Sequence, residues 1–494
     1  MSDPWKTSAI VPGDPDDERL LRSVHPGDHK NPAPADLYDL VVLGGGTAGL
    51  VCAFGAAGLG ARVALVEREL LGGDCLNTGC VPSKTILAAA AEARSRHGAH
   101  PPSSAFGEAM ADVRRIRADI AVHDSTARLG AAGIDVFLGD GRFASRDRVE
   151  VAGAALAFRR AVIATGARPS IPPVPGLRES APLTHETLFA LTQRPEHLLV
   201  LGAGAVGCEM AQAFRRLGVR VTLLDTADRV LSQDDPDASA ALLESLQGDG
   251  VDVVLGACVI AVAREGDEWI LTAGREHRGD ALLVAAGRTA NVDGLGLDSA
   301  GIAADAAGVV VDDRLRTTNP RVFAAGDVAT THRFTHAADA MARIVVRNAL
   351  FPGTTSNRNL VIPWSTYTDP EVAHVGPRAA DLTKRDDLTA LTVSFADVDR
   401  AKAEQDTRGF ARIHVDRKGR IVAATVVGRS AGELISEATL AITHGLTAAD
   451  LSGTIHPYPT RSEVWRKLGD QARRAQLTPG VRLWLDRWFR FPWR

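Results

Sequence analysis

Two of the chain's five cysteines, Cys75 and Cys80, stand with four residues between them in the run Gly72-Gly73-Asp74-Cys75-Leu76-Asn77-Thr78-Gly79-Cys80-Val81-Pro82-Ser83-Lys84. A helical pattern begins at once (Lys84-Thr85-Ile86-Leu87-Ala88-Ala89-Ala90-Ala91), so the pair falls in a loop and the first turn of a helix. Unpaired N–H groups and the helix dipole favour an anion there and lower a thiol towards thiolate. Two thiols close enough to bridge, one of them stabilised as thiolate, form a reversible disulfide that takes up and releases two electrons. A zinc site needs four ligands, and no second Cys or His pair has the spacing to complete one, so no metal is expected.

Thiols that exchange electron pairs need a carrier, and the neighbouring elements are built for one. Leu37 to Leu43 is a short apolar run that enters Gly44-Gly45-Gly46-Thr47-Ala48-Gly49; a helix pattern and a second apolar run ending in Glu67 follow. Gly44 allows a tight turn, Gly46 lets the backbone approach a pyrophosphate, and Gly49 lets helix and strand pack closely. Glu67, 23 residues after Gly44, is placed to accept hydrogen bonds from ribose hydroxyls. The pattern then repeats. His197 to Leu201 leads into Gly202-Ala203-Gly204-Ala205-Val206-Gly207, and a further run ends in Asp225, again 23 residues on. An internal repeat of this kind implies two different dinucleotides in one chain. Asp225 would repel a 2′-phosphate and accept from a 2′-hydroxyl, which favours NADH over NADPH; Arg229 is the nearest residue able to reverse that preference.

The remaining segments fit around these units. Residues 1 to about 36 are rich in Pro and Asp and read as an extension without a core of its own, partly disordered, and lying along the folded body from Val24 onward. An Ala- and Arg-rich helical region reaches about Gly130. Short strands and turns follow through Gly139-Asp140-Gly141, then a strand from Arg160 into Thr165-Gly166 and a Pro-rich linker from Arg168 to Gly176. Ala281 to Arg288, which includes Gly287, closes the second unit, and Arg321 to Asp327 is one more strand ending in Gly326-Asp327. From about Asn357 alternating segments indicate an antiparallel sheet covered by helices. The formal charge of −4 and the absence of a basic stripe exclude a nucleic-acid partner. The N-terminus lacks a secretory pattern, and no stretch approaches about 18 consecutive apolar residues, so the expectation is a cytoplasmic protein. In the tail, Val481, Trp484, Leu485, Trp488 and Phe489 follow a helical repeat, with Arg482, Arg487 and Arg490 beside them and Trp493 beyond. That face suits docking on the protein's own surface or across a dimer. Peripheral membrane contact is the alternative.

The order GxGxxG, GGxCxNxGCxPSK, ATG, GxGxxG, AxGR, AxGD and a C-terminal HP…E resembles the class I pyridine nucleotide-disulfide oxidoreductases: dihydrolipoamide dehydrogenase, glutathione reductase and mercuric reductase. The resemblance covers about Tyr38 to Asp470 and implies an α/β fold: two Rossmann-like dinucleotide-binding domains, for FAD and NAD, plus a C-terminal α+β dimerisation domain. It implies that Gly44, Gly46, Gly49, Glu67, Gly141, Thr165, Gly166, Gly326 and Asp327 serve FAD. Gly202, Gly204, Gly207, Asp225 and Gly287 would serve NAD(H), with NADP(H) the lesser choice. Cys80 would face the flavin, Cys75 would attack the substrate, and Lys84 would sit near the flavin N5, paired with Glu209. In the disulfide-reducing members the acid lies five residues after the His, whereas Glu463 lies seven after His456. Five back from Glu463 is Tyr458, an arrangement similar to mercuric reductase. Either His456, oriented by Glu463 and reaching the thiols of the partner subunit, or Tyr458 would then serve as the acid/base group. The last cysteine is Cys258, so the C-terminal cysteine pair of mercuric reductase is missing.

The domains expected are an extension over 1–36, an FAD domain over 37–185 and 288–356, and an NAD(P) domain over 186–287. A dimerisation domain over 357–470 and a tail over 471–494 complete the chain. The function expected is electron transfer between a nicotinamide cofactor and a disulfide or dithiol acceptor, through FAD and the Cys75–Cys80 pair, in a homodimer. A mercuric-reductase-like metal ion reductase and an NADH:quinone or diaphorase activity are the alternatives. A membrane-associated redox-sensing flavoprotein is the non-enzymatic one.

Overall fold

The computed structural model describes residues 10–11, 13–352 and 355–490. The chain divides into two compact units, one formed by residues 1–226 and 249–360 and the other by 227–248 and 361–494.

In the first unit, the helix α1 (Pro15–Val24) precedes the strand Tyr38–Leu43, the helix α2 (Thr47–Gly58) and the strand Val63–Glu67. Two helices then carry the thiols, α3 (Gly73–Asn77) and α4 (Cys80–His97), and α5 (Ser104–Ala121) follows. The strand Tyr38–Leu43 lies between Val63–Glu67 and Ala154–Ile163, parallel to both, with Leu43 opposite Val66 and Ile163. Strands Ile134–Leu138 and Val322–Ala324 extend the parallel part, and the hairpin Gly141–Ser145/Arg148–Val151 completes a seven-stranded sheet. Alternation along the central strand decides the two cores: Leu40 and Val42 join one apolar cluster, Val41 and Leu43 the other. The second parallel sheet, ordered Asp252–Val254, Arg220–Leu224, His197–Leu201 and Ala281–Val284, repeats the arrangement. An antiparallel three-stranded sheet (Ala261–Glu265, Glu268–Ala273, Arg275–Gly279) accompanies it.

The N-terminal segment differs from the expected extension. Asp14 caps α1 by accepting from the Asp16 and Asp17 amides, and Leu20 and Val24 are fully buried in the core that holds Leu71 and Leu76. Few apolar residues suffice here because the segment joins an existing core instead of building one. Residues 1–9 and 12 lie outside the described residues.

The second unit is a five-stranded antiparallel sheet, ordered Trp364–Thr366, Glu371–Val375, Ile421–Gly428, Phe410–Val415 and Thr389–Ser394. Helices Ala431–Thr443 and Glu463–Ala475 bury their apolar sides in its core, which includes the fully buried Trp465. Residues 227–248, expected within the nucleotide domain, belong to this unit. Asp234 accepts from Trp364 Nε1 at 2.7 Å, and Arg412 pairs with Asp235 and Asp237 at 2.7 and 2.6 Å. Tyr367, Leu440, Ile455 and Tyr458 leave apolar surface exposed, Ile455 at 95 %.

The tail forms a helix, Pro479–Phe489, capped by the Thr478 hydroxyl, and none of its residues is buried. Trp484 and Trp488 stack on one another, 59 % and 50 % exposed, so the expected packing on the chain's own surface does not occur among the described residues. Trp493 lies outside them. Among the described residues no helix is long and apolar enough to cross a membrane.

Candidate active site

Only Thr78 and Gly79 separate α3 from α4, so Cys75 in the former and Cys80 at the start of the latter face one another. A Cβ on Gly79 would stand 2.8 Å from the Asp74 carbonyl oxygen, so the tight reversal requires glycine. Both cysteines are free thiols, joined by a hydrogen bond, with Cys75 half-buried and Cys80 exposed. The bond from Cys75 is the main cause that holds Cys80 down at about 6. Burial opposes it, while the Thr335 hydroxyl, 3.2 Å from Sγ, and the Lys84 charge assist. The same bond and burial push Cys75 up. The thiolate therefore resides on Cys80, at a helix N-terminus. Lys84 Nζ lies 2.8 Å from Glu209 Oε2, with Glu209 5 % exposed.

Next to the thiols, Asp74 is paired with Arg288, whose Nη1 donates to His185 Nε2 at 2.8 Å and whose Nε lies 3.4 Å from Asp327 Oδ2. Burial works to raise Asp74, but its bond to His185 and the Arg288 charge outweigh that and hold it well below the carboxylate range. Burial raises Asp327. Carboxylate and imidazole atoms of Asp74, His185 and Glu186 come within 4.8 Å of one another, but the Arg288 guanidinium already compensates Asp74.

The two glycine turns are built alike. Gly44 and Gly202 have φ of +105° and +112°. A Cβ on Gly49 would stand 1.8 Å from the Gly44 oxygen, and one on Gly207 1.8 Å from that of Gly202. Glu67 Oε2 accepts from the Gly45 amide at 2.6 Å, and Asp225 Oδ2 from the Ala203 amide at 2.5 Å. Burial raises Glu67 against its backbone hydrogen bonds. The middle glycines face open space. Nothing lies within 4 Å of a Cβ on Gly204, and the nearest atom to one on Gly46 is the Gly73 Cα, 3.7 Å away. Each begins a helix with no side-chain cap, so first-turn amides are left for an anion. The residues present thus fit two dinucleotides.

Other expected site residues shape the surroundings. A Cβ on Gly141 would meet Val66 Cγ1 at 2.7 Å, so that glycine packs beside the strand that ends in Glu67. Thr165 Oγ1 donates to the Asn291 carbonyl at 2.7 Å, and Gly166 turns at φ +68°. A Cβ on Gly326 would stand 3.2 Å from Ala48 Cβ, which sets Gly326-Asp327 against the first turn of α2. Gly287, at φ +119°, accepts from the Ser170 amide at 2.9 Å.

In the second unit the expected orientation of His456 by Glu463 is not found. His456 Nε2 lies 2.7 Å from Glu437 Oε1, and Nδ1 3.1 Å from the Thr454 carbonyl. Glu463 is buried and turned to Arg466 at 2.7 Å, with Lys467 at 3.5 Å. The longer spacing puts the acid in the first turn of a helix, where its own i+3 and i+4 neighbours take it up. Tyr458, 71 % exposed, donates to Asp399 Oδ2 at 3.3 Å, and that carboxylate raises its phenol. Sequence reasoning passed over Asp74, His185, Thr335 and Glu437. Asp74 alone carried a signal, as an acid inside the thiol run.

Comparison with known proteins agrees with this frame. A profile described as pyridine nucleotide-disulphide oxidoreductase matches residues 38–342, and that family's dimerisation domain matches 362–468. The mercuric reductase of Streptomyces lividans is 36 % identical over 86 % of this chain and 94 % of its own length. Dihydrolipoyl dehydrogenase of Chlamydia muridarum is 32 % identical over 87 % and 96 %. Among solved structures, the Cu(II) complex of the HOCl-induced flavoprotein disulfide reductase RclA from Escherichia coli has a TM-score of 0.78 at 29 % identity, covering 87 % of this chain and 98 % of that one. LpdA from Mycobacterium tuberculosis has a TM-score of 0.80 at 28 % identity, covering 88 % and 99 %. The chain belongs to the pyridine nucleotide-disulphide oxidoreductase family. It is an FAD-dependent enzyme of that family, which uses FAD and NAD(P)H.

Proposed function

We propose that this enzyme exchanges electrons between NADH and a disulfide or dithiol substrate through Cys75 and Cys80. The observation that carries the reading is the placement of the pair: two free thiols face one another across Thr78 and Gly79, with Cys80 at a helix N-terminus beside the Thr335 hydroxyl, an environment that lowers Cys80 while burial raises Cys75. When bound, NAD(P)H supplies a hydride and FAD carries the electron pair to the sulfur atoms. The chain's own residues hold and move protons. Cys80 keeps the charge, supported by Lys84 and Thr335. Cys75 attacks the substrate once its proton has passed to a base. His456 is the residue we assign to that task, acting on the partner subunit's thiols. Its ring is held between the Thr454 carbonyl and the Glu437 carboxylate, so one of these two contacts must open for a ring nitrogen to take the proton. Tyr458 is the competing group. Gly44, Gly46, Gly49, Glu67, Thr165, Gly166, Gly326 and Asp327 hold FAD, with Gly141 shaping the strand beside Glu67. Gly202, Gly204, Gly207, Asp225 and Gly287 hold the nicotinamide nucleotide. The domain limits we assign are those expected above, except that residues 227–248 go with the C-terminal domain and the helix Pro15–Val24 goes with the FAD domain.

A second reading is favoured by the relatives named mercuric reductase and by the His456-to-Glu463 spacing: a thiophilic metal ion as acceptor. An acceptor panel of lipoamide, glutathione disulfide, mercuric ion and quinones, run on wild type and Cys75→Ser, tests both. Disulfide turnover abolished by Cys75→Ser supports the first reading. Mercuric ion as the one thiol-dependent acceptor supports the second. Quinone turnover that survives Cys75→Ser, with no other acceptor used, overturns both.

We assign the enzyme to the cytoplasm as a homodimer formed through the dimerisation domain. The exposed Tyr367, Leu440, Ile455 and Tyr458 supply apolar surface for the contact. The tail helix continues from the same domain, and we assign it to the partner copy, with a lipid surface as the outcome that would displace this assignment.

A further inference from the structure

The segment before the family match reaches the redox loop. Asp17 and Arg117 are both fully buried, with Arg117 Nη2 2.6 Å from Asp17 Oδ1. The other arm of the guanidinium, Nη1, donates to the Asn77 carbonyl at 2.8 Å. Asn77 is the last residue of α3, one of the helix-end carbonyls that lack an intrahelical partner, and it lies between Cys75 and Cys80. Its side chain also holds the loop, donating to the Leu71 and Gly73 carbonyls at 3.1 and 2.9 Å. The apolar side of α1 reaches the same place. Leu20 and Val24 share a core with Leu71 and Leu76, and the Leu71 amide donates to the Val24 carbonyl at 3.3 Å. Exposed pairs on the same helix, such as Arg19 with Asp119 at 2.5 Å, anchor it without touching the loop.

We infer that α1 is a positioning element of the redox centre: Asp17 orients Arg117, and Arg117 fixes the Asn77 carbonyl and with it the spacing of the two thiols. A buried carboxylate is needed because an arginine left unpaired in that interior is strongly disfavoured. The planar fork matters because one group must serve two partners at once. Asp17 and Arg117 are not catalytic residues, since neither touches a thiol; they act through Asn77. The inference rests on the Cys75–Cys80 pair being the redox centre.

The test is the dithiol–disulfide equilibrium of the holoenzyme in glutathione redox buffers, read by trapping free thiols and weighing the protein. Cys75-SH, Cys80-SH and one glutathione disulfide give the intramolecular disulfide and two glutathione thiols. The Asp17→Leu/Arg117→Met double variant removes the donor to Asn77 but replaces the ion pair with apolar side chains of similar volume, which favours folding. Loosening the loop lowers the effective concentration of one thiol at the other, so the equilibrium should move at least threefold towards dithiol. Arg19→Ala should leave it where it is. If the double variant does not fold, Arg117→Lys serves, since it keeps a cation for Asp17 but lacks the fork, and the same shift is expected. A folded variant with an equilibrium unchanged, or moved towards disulfide, overturns the inference. A wild-type protein that forms no Cys75–Cys80 disulfide overturns the redox reading itself, and the positioning role with it.

Discussion

Lys84 and Glu209 act on Cys80 with opposite sign, the cation lowering it and the carboxylate raising it. Glu209→Gln should therefore move the Cys80 titration below about 6, and Lys84→Gln should move it above. The measurement is long-wavelength charge-transfer absorbance after partial reduction with NADH, followed against pH. A thiol held low is thiolate above its midpoint, so the wild-type band should be present at pH 7 and fade as pH falls through about 6. Cys80→Ser should abolish it, whereas Cys75→Ala removes the hydrogen bond that is the main cause of the depression and should shift its midpoint upward. These residues were legible because they lie in contiguous motifs whose spacing carries the chemistry. Thr335 and Glu437 were not. Each meets its partner through the tertiary fold, Thr335 from 255 residues beyond Cys80, and nothing local marks a hydroxyl or an acid for that role.

At the scale of elements, the two glycine turns separate packing from binding. Gly207→Ala drives a Cβ to within 1.8 Å of the Gly202 oxygen, so it should destabilise the second dinucleotide unit by about 1–3 kcal/mol. Thermal unfolding would show it. Gly204→Ala meets nothing in the protein and should leave the melting temperature unchanged. Its methyl group occupies the nucleotide's approach, so KM for NADH should rise about tenfold, equivalent to about 1.4 kcal/mol. A Gly204→Ala enzyme with unaltered KM would remove that loop from the site. Asp225 ends its strand with its carboxylate turned back to the Ala203 amide. We expect kcat/KM for NADH to exceed that for NADPH, and Asp225→Ser to narrow the ratio. Both strand–glycine–helix units were readable from sequence, because three separate signals coincide in each. The N-terminal helix was misread for a physical reason. Its Pro and Asp content resembles solvated chain, yet its buried Asp17 is compensated by an arginine 100 residues away.

For the whole molecule, sedimentation should find a dimer at assay concentrations. A fully active monomer would take both His456 and Tyr458 out of the catalytic assignment. The tail sharpens the question of what the dimer covers. Residues 471–494 carry six arginines against one aspartate in a chain of net charge −4, and the helix Pro479–Phe489 within them has no buried residue. Deleting residues 476–494 should lower thermal stability without affecting liposome co-sedimentation, if a second copy covers that face. Loss of lipid binding at unchanged stability would assign it to an anionic membrane surface instead. The amphipathic period of this helix was plain in the sequence, but its occupant was not, since the same face serves a protein or a bilayer.

The close reversal between α3 and α4 also ties the redox state of the protein to its resistance to heat. Bridging Cys75 and Cys80 closes a loop of about six residues in the unfolded chain and removes about 2 kcal/mol of its conformational freedom. The folded chain already holds the two sulfur atoms together and gives up little. Oxidised protein should accordingly melt about 3 °C above reduced protein. Differential scanning fluorimetry across a glutathione series would then report the poise of the sulfur pair with neither nucleotide nor acceptor in the cuvette. The fold would serve as its own redox indicator.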